Sequence, residues 1–91
     1  ELNGRVALVT GGGGGIGGAV VRCLAKAGVS GTVINYRRSA KEAEALALEI
    51  ERAGVKALAI QADVQNDRQV RTMIDKIGAQ FGRLDILAGA K

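Results

Sequence analysis

The stretch that decides the fold runs Val6-Ala-Leu-Val-Thr10, continues through Gly11 to Gly15, and ends on Ile16-Gly17. The residues before the glycines are mostly apolar or β-branched, as in a parallel strand that is buried on both faces. After the glycines, apolar residues recur at the spacing of one helix face: Ile16, Ala19, Val20, Cys23, Leu24 and Ala27. The sequence therefore predicts a buried strand, a glycine turn and an amphipathic helix, in that order.

A turn of this kind is suited to binding a phosphate group. The first N–H groups of a helix have no partner inside the helix, and the helix dipole is positive at that end, so an anion is favoured there. Gly11 permits a positive φ in the turn, and Gly15 and Gly17 let a pyrophosphate and the helix approach the strand closely. The alternative is a flexible glycine-rich linker. The periodicity on both flanks favours a dinucleotide-binding turn.

The composition excludes several classes of protein. With 91 residues, 47% hydrophobic and 24% charged, the chain is predicted to be one small globular domain. The net charge of +4 is spread along the sequence, and only Tyr36 and Phe81 are aromatic, which argues against nucleic-acid binding. No apolar run approaches about 18 residues and no signal peptide is visible, so we expect no membrane association and a cytoplasmic location. The lone Cys23 is predicted to be a buried structural thiol on the apolar helix face.

The rest of the chain alternates strands with helices. Further strands are predicted at Thr32–Tyr36, Ala57–Gln61 and Leu84–Ala88. A capping-box sequence, Ser39-Ala-Lys-Glu42, begins the second helix, and Asn66 or Asp67 begins the third. Alternation with short connections predicts an α/β fold, a doubly wound parallel sheet of four strands and three helices. The expected strand order is 3-2-1-4, with the glycine turn where the order reverses.

Two adjacent arginines end the second strand. The sequence there reads Asn35-Tyr-Arg-Arg38, and the next carboxylate is Glu42. A site that selects NAD has an Asp or Glu at this place for the ribose hydroxyls. Two guanidinium groups instead suit a 2′-phosphate, which they bind through charge-assisted hydrogen bonds. The sequence therefore predicts NADP over NAD, with a solvated basic loop as the alternative.

A carboxylate follows the third strand directly, in Asp63-Val64. The carboxyl ends of parallel strands line the ligand crevice of an open α/β sheet. Asp63 is therefore predicted to accept a hydrogen bond from an adenine amino group. The alternative is that Asp63 caps the next turn, because Asp is favoured in turns in any case.

Three stretches together resemble the N-terminal half of a short-chain dehydrogenase/reductase: Thr10-Gly-x-x-x-Gly15-Ile16-Gly17, Asp63-Val64 and Gly82-Arg-Leu-Asp-Ile-Leu87. The resemblance covers essentially the whole chain and is closest to 3-oxoacyl-[acyl-carrier-protein] reductase-like members. It implies a Rossmann-type sheet, NADP(H), reversible carbonyl–alcohol oxidoreduction on a small molecule, and a homo-oligomer. The cofactor-binding residues that it implies are Thr10, Gly11, Gly15, Ile16, Gly17, Arg37, Arg38, Asp63 and Val64. The predicted site also includes the remaining glycines of the turn, Gly12, Gly13 and Gly14.

The chain departs from the family pattern in places that bear on function. Gly14 stands where the family often has an arginine, and Leu87-Ala-Gly-Ala-Lys91 stands where it has Asn-Asn-Ala-Gly. The sequence holds no histidine, and neither Tyr36 nor Lys91 belongs to a Tyr-x-x-x-Lys motif, so no catalytic and no metal-binding residue is predicted. We therefore expect residues 1–91 to be the dinucleotide-binding half of a Rossmann domain without its catalytic half. The alternative is a non-catalytic Rossmann fragment that binds no nucleotide.

Overall fold

A computed structural model describes residues 2–11 and 14–89. The strands are β1 (Val6–Thr10), β2 (Gly31–Tyr36), β3 (Lys56–Gln61) and β4 (Ile86–Gly89). The helices are α1 (Gly15–Lys26), α2 (Ala40–Arg52) and α3 (Asp67–Phe81). The predicted alternation is confirmed, and each strand begins within two residues of its predicted position.

The four strands form one parallel sheet in the order β3-β2-β1-β4, as predicted. β1 is an interior strand of the sheet, because its backbone groups are hydrogen-bonded to β2 on one side and to β4 on the other. Both faces of β1 are also covered, and residues 6–9 are all buried. The apolar run before the glycines is therefore required by the central place of this strand.

Helices cover both faces of the sheet, with α1 and α2 on one face and α3 on the other. The hydrophobic core therefore has two layers, one on each side of the sheet. Successive residues of β1 point to opposite faces, so Leu8 and Val9 belong to different layers. The layer under α1 and α2 contains Val9, Val21, Ile34, Ala43, Leu46 and Ile50. The layer under α3 contains Leu8, Val33, Ile60, Ala62, Met73 and Ile77.

Helix α1 packs on the sheet with a face that matches the predicted one only in part, because Val20 and Leu24 do pack against the core. Gly17, Gly18 and Val21 are buried, whereas Ile16 is 71% exposed and Cys23 is exposed. The prediction of a buried thiol is therefore wrong. The physical reason is that α1 places the backbone of its glycines against the protein interior. A helix face predicted from apolar side chains alone leaves glycines out. It is therefore rotated relative to the face that is buried in the structure.

The two later helices begin in different ways. Asn66 caps α3, because its extended backbone lets the side-chain oxygen accept the N–H of Gln69 at 3.1 Å. Ser39 precedes α2 with φ −90° and ψ 55°, outside the extended region, and its side chain makes no capping hydrogen bond. The predicted capping box is therefore wrong. The Ser39 carbonyl nonetheless accepts the first helical bond, from Ala43 N–H at 3.0 Å.

A carboxylate joins the amino ends of the two strands β1 and β4. Oδ2 of Asp85 accepts the N–H of Val6 at 2.8 Å, and the Asp85 N–H donates to the Val6 carbonyl at 2.9 Å. Arg83 donates to both oxygens of the same carboxylate at 2.8 Å. The Arg83 hydrogen bonds, followed by the Val6 N–H, lower the pKa of Asp85 from its ordinary value. The charged carboxylate thereby anchors β4 on β1 at the end of the sheet opposite the glycine turn.

The β4 edge leads to a prediction about residues 1–91 studied as a separate polypeptide. β4 pairs with β1 on one side and is the last strand of the described sheet, and Leu87 on it is 69% exposed. Exposed apolar edges template pairing with another chain. A bare patch of about 300 Å² is worth several kcal/mol at about 25 cal/mol per Å², which is comparable to the whole stability of a small domain. We expect concentration-dependent association or no cooperative melt.

Sedimentation over a range of concentrations, together with thermal melting, checks this expectation. Leu87→Lys is the matched variant, because a charge on an edge strand opposes pairing and should reduce association. A monodisperse wild-type monomer that melts cooperatively above about 60 °C would contradict the prediction, since most mesophile domains melt at or below roughly that temperature.

Candidate functional site

The glycine turn connects the end of the central strand to the start of α1. Gly11 has φ +68°, the left-handed conformation predicted for it, and its carbonyl accepts the N–H of Gly14 at 3.3 Å. Gly14 is extended and precedes the first residue of α1, Gly15. Gly12 and Gly13 lie outside the described residues. The linker interpretation is not favoured, because a buried strand and a helix flank the glycines, and Gly11 and Gly14 are joined by a backbone hydrogen bond.

The amino end of α1 has the properties of an anion site. Gly14 at the cap position carries no side chain to occupy the first N–H groups, and the first turn of α1 carries no acidic residue. A Cβ built on Gly15 would meet no described atom within 4 Å, and one on Gly14 would meet only the Gly11 carbonyl at 3.8 Å. Space beside the positive end of the helix dipole is therefore open to a phosphate group.

The two arginines lie next to this turn. A cavity of about 370 Å³ separates the end of β2 from the amino end of α1. Its lining consists of Gly11, Gly14, Tyr36, Arg37, Arg38 and Ser39. The structure thus brings together the glycine turn and the arginine pair, which are more than 20 residues apart in the sequence. Both guanidinium-bearing residues are exposed, so their charges are available to a ligand.

A second cavity, of about 420 Å³, lies across the carboxyl ends of β1, β2 and β3. Its lining includes Thr10 at the end of β1 and the following Gly11, Arg37 after β2, and Asp63 and Val64 after β3. Arg37 lines both cavities, so they are neighbouring parts of one crevice. The described residues predicted to bind the cofactor therefore gather along this crevice and the adjoining amino end of α1.

The Asp63 carboxylate caps a turn and can still accept further hydrogen bonds. Its Oδ1 accepts the N–H of Gln65 at 3.0 Å, which is the turn-capping contact considered as the alternative for this residue. Its Oδ2 lies 3.7 Å from Nη2 of Arg37. Each carboxylate oxygen has two lone pairs, so these contacts leave acceptor capacity for a ligand. The two interpretations of Asp63 are therefore compatible.

The sequence analysis did not predict the hydrogen bonds of two side-chain amides, Asn35 and Gln61, that connect the strands lining the crevice. Asn35 is 2% exposed, and its Nδ2 donates to the carbonyls of Ala62 at 3.1 Å and Ile60 at 3.4 Å. Gln61 donates from Nε2 to the carbonyl of Arg37 at 3.2 Å. These bonds connect the carboxyl ends of β2 and β3 to each other and to the residues that directly follow them. An Asn inside a strand buried on both faces is itself a signal, because a buried amide needs hydrogen-bond partners.

Other kinds of site receive no support from the described part of the chain. Within residues 2–11 and 14–89, no three His, Cys, Asp or Glu side chains are grouped so that they could hold a metal ion. None of the described helices has the length and apolar character needed to cross a bilayer. The crevice at the glycine turn remains the candidate site.

A sequence profile of the short chain dehydrogenase family matches residues 5–90. The chain belongs to the short-chain dehydrogenase family. The match spans the glycine turn, the arginine pair and the Asp63 segment, so the crevice lies within the family-defining part of the chain. The predicted family resemblance is confirmed.

Individual relatives agree with this assignment. An uncharacterised oxidoreductase of Methylorubrum extorquens is 46% identical over 96% of this chain and 35% of its own length. Versicolorin reductase 1 of Dothistroma septosporum is 46% identical over 97% of this chain and 33% of its own length. A crystal structure of a short chain dehydrogenase from Burkholderia cenocepacia in complex with NADP has a TM-score of 0.88 and 45% identity over 94% of this chain and 35% of that one. The chain therefore spans about a third of the length of the relatives it matches.

Proposed function

We propose that residues 1–91 form the N-terminal, NADP(H)-binding half of a Rossmann domain in an oxidoreductase that interconverts a carbonyl and an alcohol by hydride transfer. The observation that carries the proposal is the cavity shared by Arg37, Arg38 and the glycine turn. In NADP(H) the 2′-phosphate and the pyrophosphate are attached to the same adenosine ribose, at its 2′ and 5′ positions. One crevice with a guanidinium pair at one end and a helix amino end at the other matches both groups.

Each part of the crevice has a role in this proposal. The glycine turn from Thr10 to Gly17 receives the pyrophosphate at the amino end of α1. Arg37 and Arg38 bind the 2′-phosphate, and no Asp or Glu stands at the end of β2 to select NAD instead. Asp63 and Val64 border the adenine, with the Asp63 carboxylate accepting a hydrogen bond from its amino group. The NADP bound to the Burkholderia cenocepacia relative supports the choice of cofactor.

The chemistry of the reaction needs more than these residues. NADP(H), when bound, supplies or accepts the hydride, and a protein group has to move the proton of the carbonyl or alcohol. The sequence offers no histidine and no Tyr-x-x-x-Lys for that step. We propose that a longer chain, called the whole protein below, contributes the acid–base residues and binds a small carbonyl or alcohol substrate.

Three finer predictions remain part of this proposal. The whole protein is expected to form a homo-oligomer and to be cytoplasmic. The closer resemblance to 3-oxoacyl-[acyl-carrier-protein] reductases also stays a prediction. The Dothistroma septosporum relative is named a reductase, which is consistent with a reaction that runs from the carbonyl to the alcohol.

Titration of the whole protein with NADPH, followed by the fluorescence of the reduced nicotinamide, tests the proposal. We expect saturable binding and much weaker binding of NADH, because NADH lacks the 2′-phosphate that the arginines would contact. Absence of NADPH binding would favour the other interpretation, a Rossmann fold that binds no nucleotide. Equal affinities for NADPH and NADH would still support dinucleotide binding by this fold, but they would refute the role proposed for the arginine pair.

A further inference from the structure

The backbone of Asp63 is held by the first turn of α3. Oε1 of Gln69 accepts the Asp63 N–H at 2.8 Å, which joins two residues that are six apart in the sequence. The carbonyl of Asp63 accepts the N–H of Asn66 at 2.9 Å, so both backbone groups of this residue are bonded to the segment that begins α3. The backbone of Asp63 is therefore fixed from the α3 side, while the residue lines the crevice and its Oδ2 lies 3.7 Å from Nη2 of Arg37, another lining residue.

The contact of Gln69 differs from the usual one at its place in a helix. Gln69 is the third helical residue after the cap Asn66, where a Glu or Gln ordinarily reaches back to the N–H of the cap residue itself. Here the Asn66 N–H is bonded to the Asp63 carbonyl, and the Gln69 side chain extends to the Asp63 N–H instead. The Asn66 side chain in turn accepts the Gln69 N–H at 3.1 Å, which fixes the turn from which Gln69 reaches.

We propose that Gln69 is a positioning residue for adenine recognition: it holds Asp63 where the carboxylate meets the adenine amino group. This inference rests on the proposed function. Gln69 is exposed and is not among the residues that line the crevice, so it acts through Asp63 and not by touching the base. A carboxylate hydrogen bond is effective only over a few tenths of an ångström around 2.8–3.0 Å, so a displaced Asp63 loses it.

The test compares NADPH with its hypoxanthine analogue, reduced nicotinamide hypoxanthine dinucleotide phosphate, which carries an oxygen in place of the adenine amino group. The wild-type whole protein should bind NADPH at least about tenfold more tightly than the analogue, since a hydrogen bond to a charged group is lost. Gln69→Leu removes the acceptor and should reduce that ratio to about twofold or less. Gln69→Glu keeps an oxygen acceptor at the same distance and should retain the preference.

Matched controls separate positioning from general effects on α3. Gln80→Leu is the same change at an exposed residue in the last turn of α3, and it should leave the preference at the wild-type value. Gln69→Asn shortens the side chain by one methylene, so it loses the contact while staying polar, and it should behave like Gln69→Leu. Thermal melting of each variant establishes that the proteins compared are folded.

The outcomes distinguish this inference from the proposed function. A wild-type protein that shows no NADPH binding, or no preference for adenine, would overturn the role proposed for Asp63 and with it the inference. A wild type that prefers adenine, with folded Gln69→Leu and Gln69→Asn variants that keep the same ratio, would overturn the inference alone. An equal loss of affinity for both nucleotides, with the ratio unchanged, would also overturn it, because that is the effect of a purely structural residue.

Discussion

Replacing Arg37 and Arg38 together with alanine is expected to weaken NADPH binding by a factor of roughly 10² to 10⁴ while NADH binding changes little. Hydrogen bonds to charged groups contribute about 1.5–3 kcal/mol each, and the double variant removes two such partners of the 2′-phosphate. The structure supports a joint effect, because the two residues line one cavity with the glycine turn. The ratio of the two dissociation constants is the quantity to measure.

Net charge has to be controlled in this comparison. The variant lowers the positive charge by two, which by itself weakens the binding of any anionic nucleotide. Replacing Arg52 and Arg71 with alanine makes the same change of charge at exposed places on α2 and α3. That control should lower both affinities only slightly, and that of NADPH somewhat more because of its additional phosphate charge, so the ratio should change far less than in the Arg37 and Arg38 variant. An equal loss for both cofactors in the Arg37 and Arg38 variant would refute the assignment of the 2′-phosphate site.

The two single variants should differ, because Arg37 lines both parts of the crevice and Arg38 lines only the part beside the glycine turn. Arg38→Ala is expected to reduce the preference for NADPH alone. Arg37→Ala should also affect the adenine side, since the Arg37 guanidinium lies 3.7 Å from the Asp63 carboxylate. This division of roles follows from the geometry and is not visible in the sequence, where the two residues are simply adjacent.

Gly17→Val is expected to abolish nucleotide binding and to lower stability. Gly17 is buried in the first turn of α1, two residues after the last glycine of the run Gly11 to Gly15. Extra methyl groups at a buried position cost about 1–3 kcal/mol through displaced neighbours. Because the displaced element is the amino end of α1, the N–H groups that would bind the pyrophosphate move with it. Thermal melting and NADPH titration at low temperature report the two effects separately.

Gly78→Val provides the matched control for this substitution. Gly78 lies within α3, and a Cβ built there would meet no described atom within 4 Å. The same chemical change is therefore expected to be accommodated without overpacking and to leave nucleotide binding intact. If Gly17→Val bound NADPH with normal affinity, the glycine turn would not be the phosphate site, whatever its effect on the melting temperature.

Much of the fold follows from the sequence alone, because its determinants are local. The periods of the apolar residues indicate the strands and helices. Alternation of the two with short connections favours a parallel sheet with right-handed crossovers. The positive φ of Gly11 and Gly82 follows from their places at a turn and at the end of a helix. The sequence also places the arginine pair and Asp63 at the crevice, because the carboxyl ends of parallel strands share one edge of the sheet.

Only the tertiary structure decided which face of α1 is buried and which side chains hold the crevice. Gly17 and Gly18 meet the interior through their backbone, and a glycine has no side chain that a hydrophobic pattern could register. The hydrogen bonds of Asn35 with Ala62 and of Gln69 with Asp63 connect β2 and α3 to the loop after β3, at 3.1 and 2.8 Å. Hydrogen bonds tolerate errors of only a few tenths of an ångström, whereas periodicity locates a residue to within about a turn of helix. The sequence therefore determined the elements and the edge where they meet, and the packed backbone determined which polar groups come within bonding distance there.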